Sequence, residues 1–300
     1  MKLHPLLTAS LFASLAAAAP CVVCAEDKPA PAAEPASSDP LPTDAEEQYQ
    51  LAQACIRGIG VKKDPARAYE LCKMAASQGH ADAIGGLGYF PATGIMEKKD
   101  LAEAAECFRK GAEKGSTRSQ VNYGLALLNG RGVPANEAEG LKWIEKAASQ
   151  GQPHAFYVQG LFFFHGTSGH PQDYAKALPF LQMAAESDHA AAENTLGVMH
   201  EQGFGVKMDL TKAEEWYRKA AEQGEPKAMS SLGQLLGPDG PDASKHVEAM
   251  KWLLLAHKAN DPSARQILNE ILRTRPEEVL KEARKQMAEF KLRPSKEPKR

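Results

Sequence analysis

The chain has 300 residues, with 36 Lys plus Arg against 38 Asp plus Glu and a formal net charge of −2. So even a balance leaves no bulk basic footprint for a nucleic acid. Length alone would suit one or two ordinary domains, but internal repetition overrides that count.

Met1–Ala25 reads as a secretory signal peptide: Lys2 is the basic start, Leu6–Ala19 the apolar stretch, and Val23-Cys24-Ala25 precedes a cut. The apolar run is shorter than the roughly twenty residues of a membrane span. A periplasmic or secreted location is therefore expected. Cys21 and Cys24 raise a lipoprotein alternative, although Pro20 and Val23 stand where a lipid-attachment box takes Gly or Ala. Residues 26–43 carry Pro29, Pro31, Pro35, Pro40 and Pro42 among Ala, Ser and acids, a composition expected of a disordered linker. The folded part is expected from Asp44, a helix N-cap with Glu47 three residues on.

Six units follow at a step of 36 residues: 47–82, 83–118, 119–154, 155–191, 192–227 and 228–263, with one residue inserted in the fourth inside Gly166–Gly169. From the second unit on, each opens on a small residue (Ala83, Ser119, Ala155, Ala192, Ala228), and Ala264 continues the column. A column of Ala52, Gly88, Gly124, Gly160, Gly197 and Gly233 comes next. Glycine inside a helix costs about 1 kcal/mol relative to Ala, so its recurrence predicts a close helix crossing. Gly58, Gly94, Gly130, Gly166 and Gly203 suit left-handed C-caps. The Gly-x-Gly made with Gly60, Gly132, Gly169 and Gly205 reads as a turn and not a phosphate loop, because it recurs between two helices in four units.

Asp64, Asp100, Asn136, Asp173 and Asp209 are the expected N-caps of the second helices. Along those helices run Leu71, Cys107, Trp143, Phe180, Trp216 and Trp252, and beside them Cys72, Phe108, Ile144, Leu181, Tyr217 and Leu253. With the Ala pairs one turn on, both columns read as an interdigitating core. The sixth unit loses the standard turn to Gly237-Pro238-Asp239-Gly240-Pro241. Residues 264–290 read as C-terminal capping helices, and 291–300 as a solvated basic tail. Cys55, Cys72 and Cys107 fall at apolar repeat positions and read as buried thiols, with a Cys55–Cys72 disulfide as the alternative in an oxidising compartment.

The columns Leu/Ala-Gly, Gly-x-Gly-Val, Asp, Lys-Ala, Trp-Tyr and Lys-Ala-Ala-Glu-Gln-Gly, most complete in 192–227, together resemble the Sel-one-like repeat (SLR) family, a relative of the tetratricopeptide repeat. The resemblance implies an all-α fold, an α/α superhelical solenoid of about six helix-turn-helix repeats. It also implies function through protein–protein interaction, as an exported bacterial scaffold or adaptor. The expected partner is a protein or peptide on the concave surface; no cofactor, nucleic acid or membrane span is expected, and the chain is read as a monomer. Pro91 in the first helix of unit two departs from the pattern and predicts a bend.

No Gly-x-Ser-x-Gly, Ser-x-x-Lys or zinc-protease motif is present, so the chain is read as no enzyme. A cell-wall-ligand or β-lactam-hydrolysing protein, like some secreted cysteine-rich relatives, is the alternative. His165 and His170 flank the enlarged loop without a third metal ligand nearby. His80 and His189 share a column that reads as a surface position. The distinctive local feature is Phe162-Phe163-Phe164-His165 in unit four. One reading gives an aromatic-lined groove, with Tyr89, Tyr123, Phe162, Phe164 and His165 as binding residues. The other gives a wider buried core around the loop.

Overall fold

The computed structural model describes residues 41–58, 60–237, 243–272 and 276–293, so the signal-peptide reading lies outside the described residues, as do most of the linker, the turn around Pro238 and residues 294–300. The chain divides between Ala155 and Phe156 into two units.

The first unit is built from paired helices joined by two kinds of closed turn. Helix α1 (Ala45–Arg57) starts on Asp44, whose carboxylate accepts from the N–H groups of Glu46 and Glu47. It stops at Gly58, whose φ of 75° only glycine adopts without penalty. The chain is then drawn back by a bond from the Asp64 N–H to the Cys55 carbonyl, and Asp64 caps α2 (Pro65–Ser77). A second turn closes through the His80 N–H, which donates to Ala75 O.

The same two bonds recur down the chain. Asp100 N–H reaches Pro91 O, Asn136 reaches Leu127, Asp173 reaches Phe163 and Asp209 reaches His200, at 2.8–2.9 Å. Ser116, Gln152, His189, Glu225 and Asp261 repeat the second bond. The inserted residue of the fourth repeat is absorbed inside the first kind of turn, between Phe163 and Asp173.

In the second repeat the first helix is split into α3 (Ala81–Gly86) and α4 (Tyr89–Thr93). Pro91 has no N–H for the Leu87 carbonyl, and Phe90 N–H takes that acceptor instead at 3.3 Å. This is the expected bend. The split helix also lies unusually close to α5 (Leu101–Glu113): a Cβ built on Gly111 would stand 2.7 Å from Gly85 Cα, which explains glycine where other repeats carry Ala. Helices α6 (Thr117–Asn129) and α7 (Glu137–Ser149) complete the third pair.

The second unit begins within α8 (Pro153–His165) and continues through α9 (Tyr174–Glu186), α10 (Ala190–Gln202), α11 (Leu210–Glu222), α12 (Pro226–Leu235) and α13 (Ala243–Lys258). Two further helices, α14 (Pro262–Ile271) and α15 (Glu277–Glu289), pack on α13 through Met250, Leu253, Leu268, Ile271 and Ala283.

The internal glycines mark close crossings as expected. A Cβ at Gly124 would lie 2.8 Å from the Gly140 carbonyl, and one at Gly197 would lie 2.5 Å from the Tyr217 ring. Gly88 meets Ala104 O and Phe108 in the same way. The second glycine of Gly-x-Gly does more than turn the chain. At Gly132 a Cβ would overlap the Leu101 carbonyl, and at Gly205 it would stand 2.8 Å from the Tyr174 backbone. Each lets its turn rest on the start of the preceding repeat's second helix.

The two aromatic columns separate. Ile144, Leu181, Tyr217 and Leu253 are fully buried. Of the adjacent column, Trp252 is buried but Trp143 and Trp216 are only half-buried, with the Lys146 and Lys219 ammonium groups over their faces at 4.8 and 4.2 Å. Reading both columns as core was therefore half right. The two columns are one residue and so 100° apart around the helix: in the first, Leu71 and Trp252 are buried, whereas Trp143 and Trp216 lie nearer the rim and each receives a lysine from the next turn. Cys55, Cys72 and Cys107 are free thiols; burial pushes Cys72 up to about 12 and raises the other two.

Candidate interaction surfaces

The unit-four aromatics turn inward. Phe162 is 1% exposed and Phe164 3%. Phe164 meets Tyr174 and Phe204 edge-on at 5.1 and 6.1 Å, and Tyr174 stacks on Phe204 at 4.6 Å. His170 stacks over Phe162 at 5.8 Å and its Nδ1 is 2.7 Å from Ser168 O, so it helps to fill the enlarged loop. Two of three phenylalanines are thus buried and Phe163 is half-buried, packed on Phe180 at 5.8 Å. The wider-core reading holds for Phe162 and Phe164; neither lines a groove. Tyr123 is also buried, against Trp143 at 5.9 Å.

Tyr89 and His165 keep partial exposure, each in its own unit. Burial lowers the pKa of His165, with Lys227 adding to the effect. Among the described residues no group of three or more His, Cys, Asp or Glu is placed to hold a metal ion. The structural columns stand where the sequence put them: Asp64, Asp100, Asp173 and Asp209 cap their helices through a carboxylate oxygen.

The repeat pattern does not reveal the edge where each second helix ends and the next first helix begins. His80 and His189 are not a surface column. Their Nδ1 atoms accept from the N–H groups of Ala83 and Ala192 at 3.1 and 3.3 Å, and His189 is buried. Ser116 and Asp261 cap in the same position. The Nε2–H of His80 donates to Glu46 at 2.9 Å, and this bond lowers the Glu46 pKa.

Behind this edge a polar side-chain pair recurs in alternate repeats, part-buried in the first and third and buried in the fifth. Gln78 donates to Gln48, Gln150 to Gln120, and Gln223 to Glu193, at 2.9, 2.9 and 2.6 Å. Glu193 is the one carboxylate of that column and is 1% exposed. Burial pushes its pKa up to about 7, opposed mainly by the nearby Arg293. Arg293 belongs to the expected solvated tail, but residues 290–293 are docked. The Arg293 N–H donates to Glu222 O at 2.7 Å, and its guanidinium stands 3.7 Å from both Asp188 and Glu193.

On the first helices of the first unit a second set of residues occupies equivalent positions. Gln50, Gln53 and Arg57 lie on α1, Tyr89 and Thr93 on α4, and Asn129 on α6. The positions follow i, i+3, i+7 spacing in α1 and recur as Gly86, Tyr89 and Thr93 and as Asn122, Leu125 and Asn129; the six residues named are at least partly exposed, whereas Asn122 and Leu125 are buried.

Comparison with known proteins fits this architecture. A Sel1 repeat protein of Oxalobacter formigenes is 28% identical, with a TM-score of 0.58 over 71% of this chain and 85% of that one. A protective antigen of uropathogenic Escherichia coli, described as displaying an SLR fold, is 27% identical with a TM-score of 0.55, over 82% of this chain and 54% of that one. Among curated proteins, chitin synthase regulatory factor 3 of Schizosaccharomyces pombe is 28% identical over 212 residues, 67% of this chain and 22% of that protein. An uncharacterised protein of Neisseria meningitidis is 28% identical over 223 residues, 74% of this chain and 44% of its own length. The chain thus spans less than half the length of these curated relatives. No helix among the described residues is long and apolar enough to cross a membrane. Sel1 repeat models match residues 48–80, 81–116, 117–152, 160–189, 190–225 and 226–261, and the chain belongs to the Sel1 repeat family, an all-α repeat family whose members generally act through protein–protein interaction.

Proposed function

We propose that this chain is an exported, non-catalytic scaffold that binds a protein partner through the first-helix face of its first unit. The carrying observation is a division of labour among positions. Residues that recur in every repeat are consumed by caps, turns and close crossings. Gln50, Gln53, Arg57, Tyr89, Thr93 and Asn129 fall at three positions of the first helices, differ from repeat to repeat and reach solvent, although in the third repeat only the last of the three positions does, Asn122 and Leu125 being buried. Amides, a hydroxyl, a guanidinium and one tyrosine supply the directional hydrogen bonds and aromatic anchor that polypeptide recognition uses. Export rests on the reading of Met1–Ala25 as a leader. It predicts a mature N-terminus beyond that stretch, which sequencing of the cell-isolated protein checks.

The binding test places a photo-crosslinking residue at Gln53 or Thr93 in the full chain within its host. Controls carry it at Glu70 or Lys142, exposed on the second helices. A discrete adduct is expected from the first pair alone. It should be lost with Arg57→Glu and Tyr89→Ala, at an unchanged helix content. Equal adducts from all four positions, or none from the first two, would sink the reading.

A further inference from the structure

We propose that Asp188, Glu193, Glu222, Gln223 and Trp252 form a recognition site for an extended peptide of another protein, one bearing an arginine three residues after an aromatic side chain. Phe290–Arg293 of this chain is the site's built-in occupant.

Negative charge is placed where the guanidinium lies. The column Gln48, Gln120, Glu193 holds an amide twice and a carboxylate once, against the same glutamine partner each time. The carboxylate appears in the repeat where a guanidinium arrives. Asp188 follows the same logic. It takes the place of Gly79, Gly115, Gly151 and Gly224, adopts their left-handed conformation at φ 56°, and faces the same guanidinium.

The occupant has the form of a linear ligand. The chain leaves α15 extended, with Phe290 at φ −66° and ψ 134°. The Arg293 N–H donates to the carbonyl of Glu222 at the end of α11, the Phe290 ring lies edge-on to Trp252 at 5.1 Å with the Lys251 ammonium 5.9 Å from its centre, and Leu292 packs against the core cluster that includes Tyr217 and Trp252. One main-chain bond, apolar anchors and one charge make up the chemistry by which linear peptides are read.

The seat is incompletely used. Nη2 of Arg293 is buried without a hydrogen bond, and both carboxylates stand beyond hydrogen-bonding reach at 3.7 Å. A peptide placing its guanidinium closer gains what the tail forgoes. An identical tail from a second copy gains nothing over the tethered one. The site uses other residues than the first-helix face, so failure of crosslinking at Gln53 leaves it standing.

The test uses a fluorescent peptide of residues 288–294 (Ala-Glu-Phe-Lys-Leu-Arg-Pro) and the full chain carrying Phe290→Ser and Arg293→Ser to vacate the seat. Saturable binding is expected by fluorescence polarisation, at least tenfold tighter than to the unaltered chain. Adding Glu193→Gln, or replacing the peptide's arginine by serine, should each weaken it at least tenfold. No saturable binding by a double variant of unchanged helix content would overturn the proposal. So would indifference to Glu193→Gln, or a concentration-dependent dimer formed by tail exchange. Hydrogen exchange on the unaltered chain is a second measurement, one that misfolding of the variant does not affect. Residues 290–293 should exchange at least tenfold faster than the helix around Trp252, and exchange in step with it would make the tail a fixed part of the core.

Discussion

Glu193 shows how a single side chain ties the fold to pH. Its ordinary value of 4.5 is raised to about 7, burial being the larger cause and Arg293 the main opposing one. The folded chain therefore holds a proton that the unfolded chain releases between those values, and stability falls as pH rises through that window, then levels off above about 7. Glu193→Gln should remove this dependence. Melting temperatures of the two proteins should differ by a constant below pH 4.5, diverge in favour of the variant up to about pH 7, and run parallel above it. Parallel curves throughout would show that Glu193 ionises normally. Gly197 makes the opposite point about propensity. Ala is the better helix former by about 1 kcal/mol, yet its Cβ would lie 2.5 Å from the buried Tyr217 ring. Overpacking costs about 1–3 kcal/mol, so Gly197→Ala should lower the melting temperature. A rise would mean the crossing can relax. The glycine was legible because its column repeats. Glu193 was not, because its meaning depends on Arg293, a hundred residues on and outside any repeat.

At the level of elements, the caps divide in the same way. The Asp column was legible because one residue type does one job in every unit. The opposite edge uses His80, Ser116, His189 and Asp261 for that same job, so no column shows in the sequence until the N–H bonds are seen. The Trp column misled for a related reason. Trp143 and Ile144 are neighbours, and periodicity alone does not say which of the two lies nearer the axis of packing. The Gly-x-Gly turn offers a controlled test. Gly60 and Gly132 share a column and a positive φ of 66° and 75°, but a Cβ at Gly60 meets nothing within 4 Å and one at Gly132 overlaps the Leu101 carbonyl. Both alanine variants bear the left-handed penalty of about 1–2 kcal/mol. Gly132→Ala should cost at least about 1 kcal/mol more, since backbone must move. Equal denaturation midpoints for the two variants would reduce the second glycine to a turn residue after all.

The molecule as a whole is legible to the extent that it repeats. Step, helix pairing, turn closure and the bend at Pro91 all follow from one unit compared with its copies; the docked tail and the buried unit-four aromatics do not. The sequence periodicity counts Phe162, Phe163 and Phe164 as more apolar surface than one stripe holds. The extra lining comes from His170 in the enlarged loop, Tyr174 at the start of α9 and Phe204 in the turn of the following repeat. Because a repeat array is stabilised chiefly by each unit and its nearest neighbours, phase should matter more than length. Removing residues 83–118 takes out 36 residues and joins Asp82 to Ser119, leaving a small residue in the Ala83 position, Asn136 as the next second-helix cap, and Gly124 still opposite Gly140. Removing residues 83–100 takes out half a step and joins a first-helix start directly to the second helix α5. Circular dichroism melts should find the in-phase deletion helical and cooperative, within about 10 °C of the full chain, given a shift of about 2–4 °C per kcal/mol at this size. The shorter deletion should broaden or abolish the transition although it removes half as much protein. If the two behave alike, the 36-residue step is a record of duplication and not the unit in which this fold is stabilised.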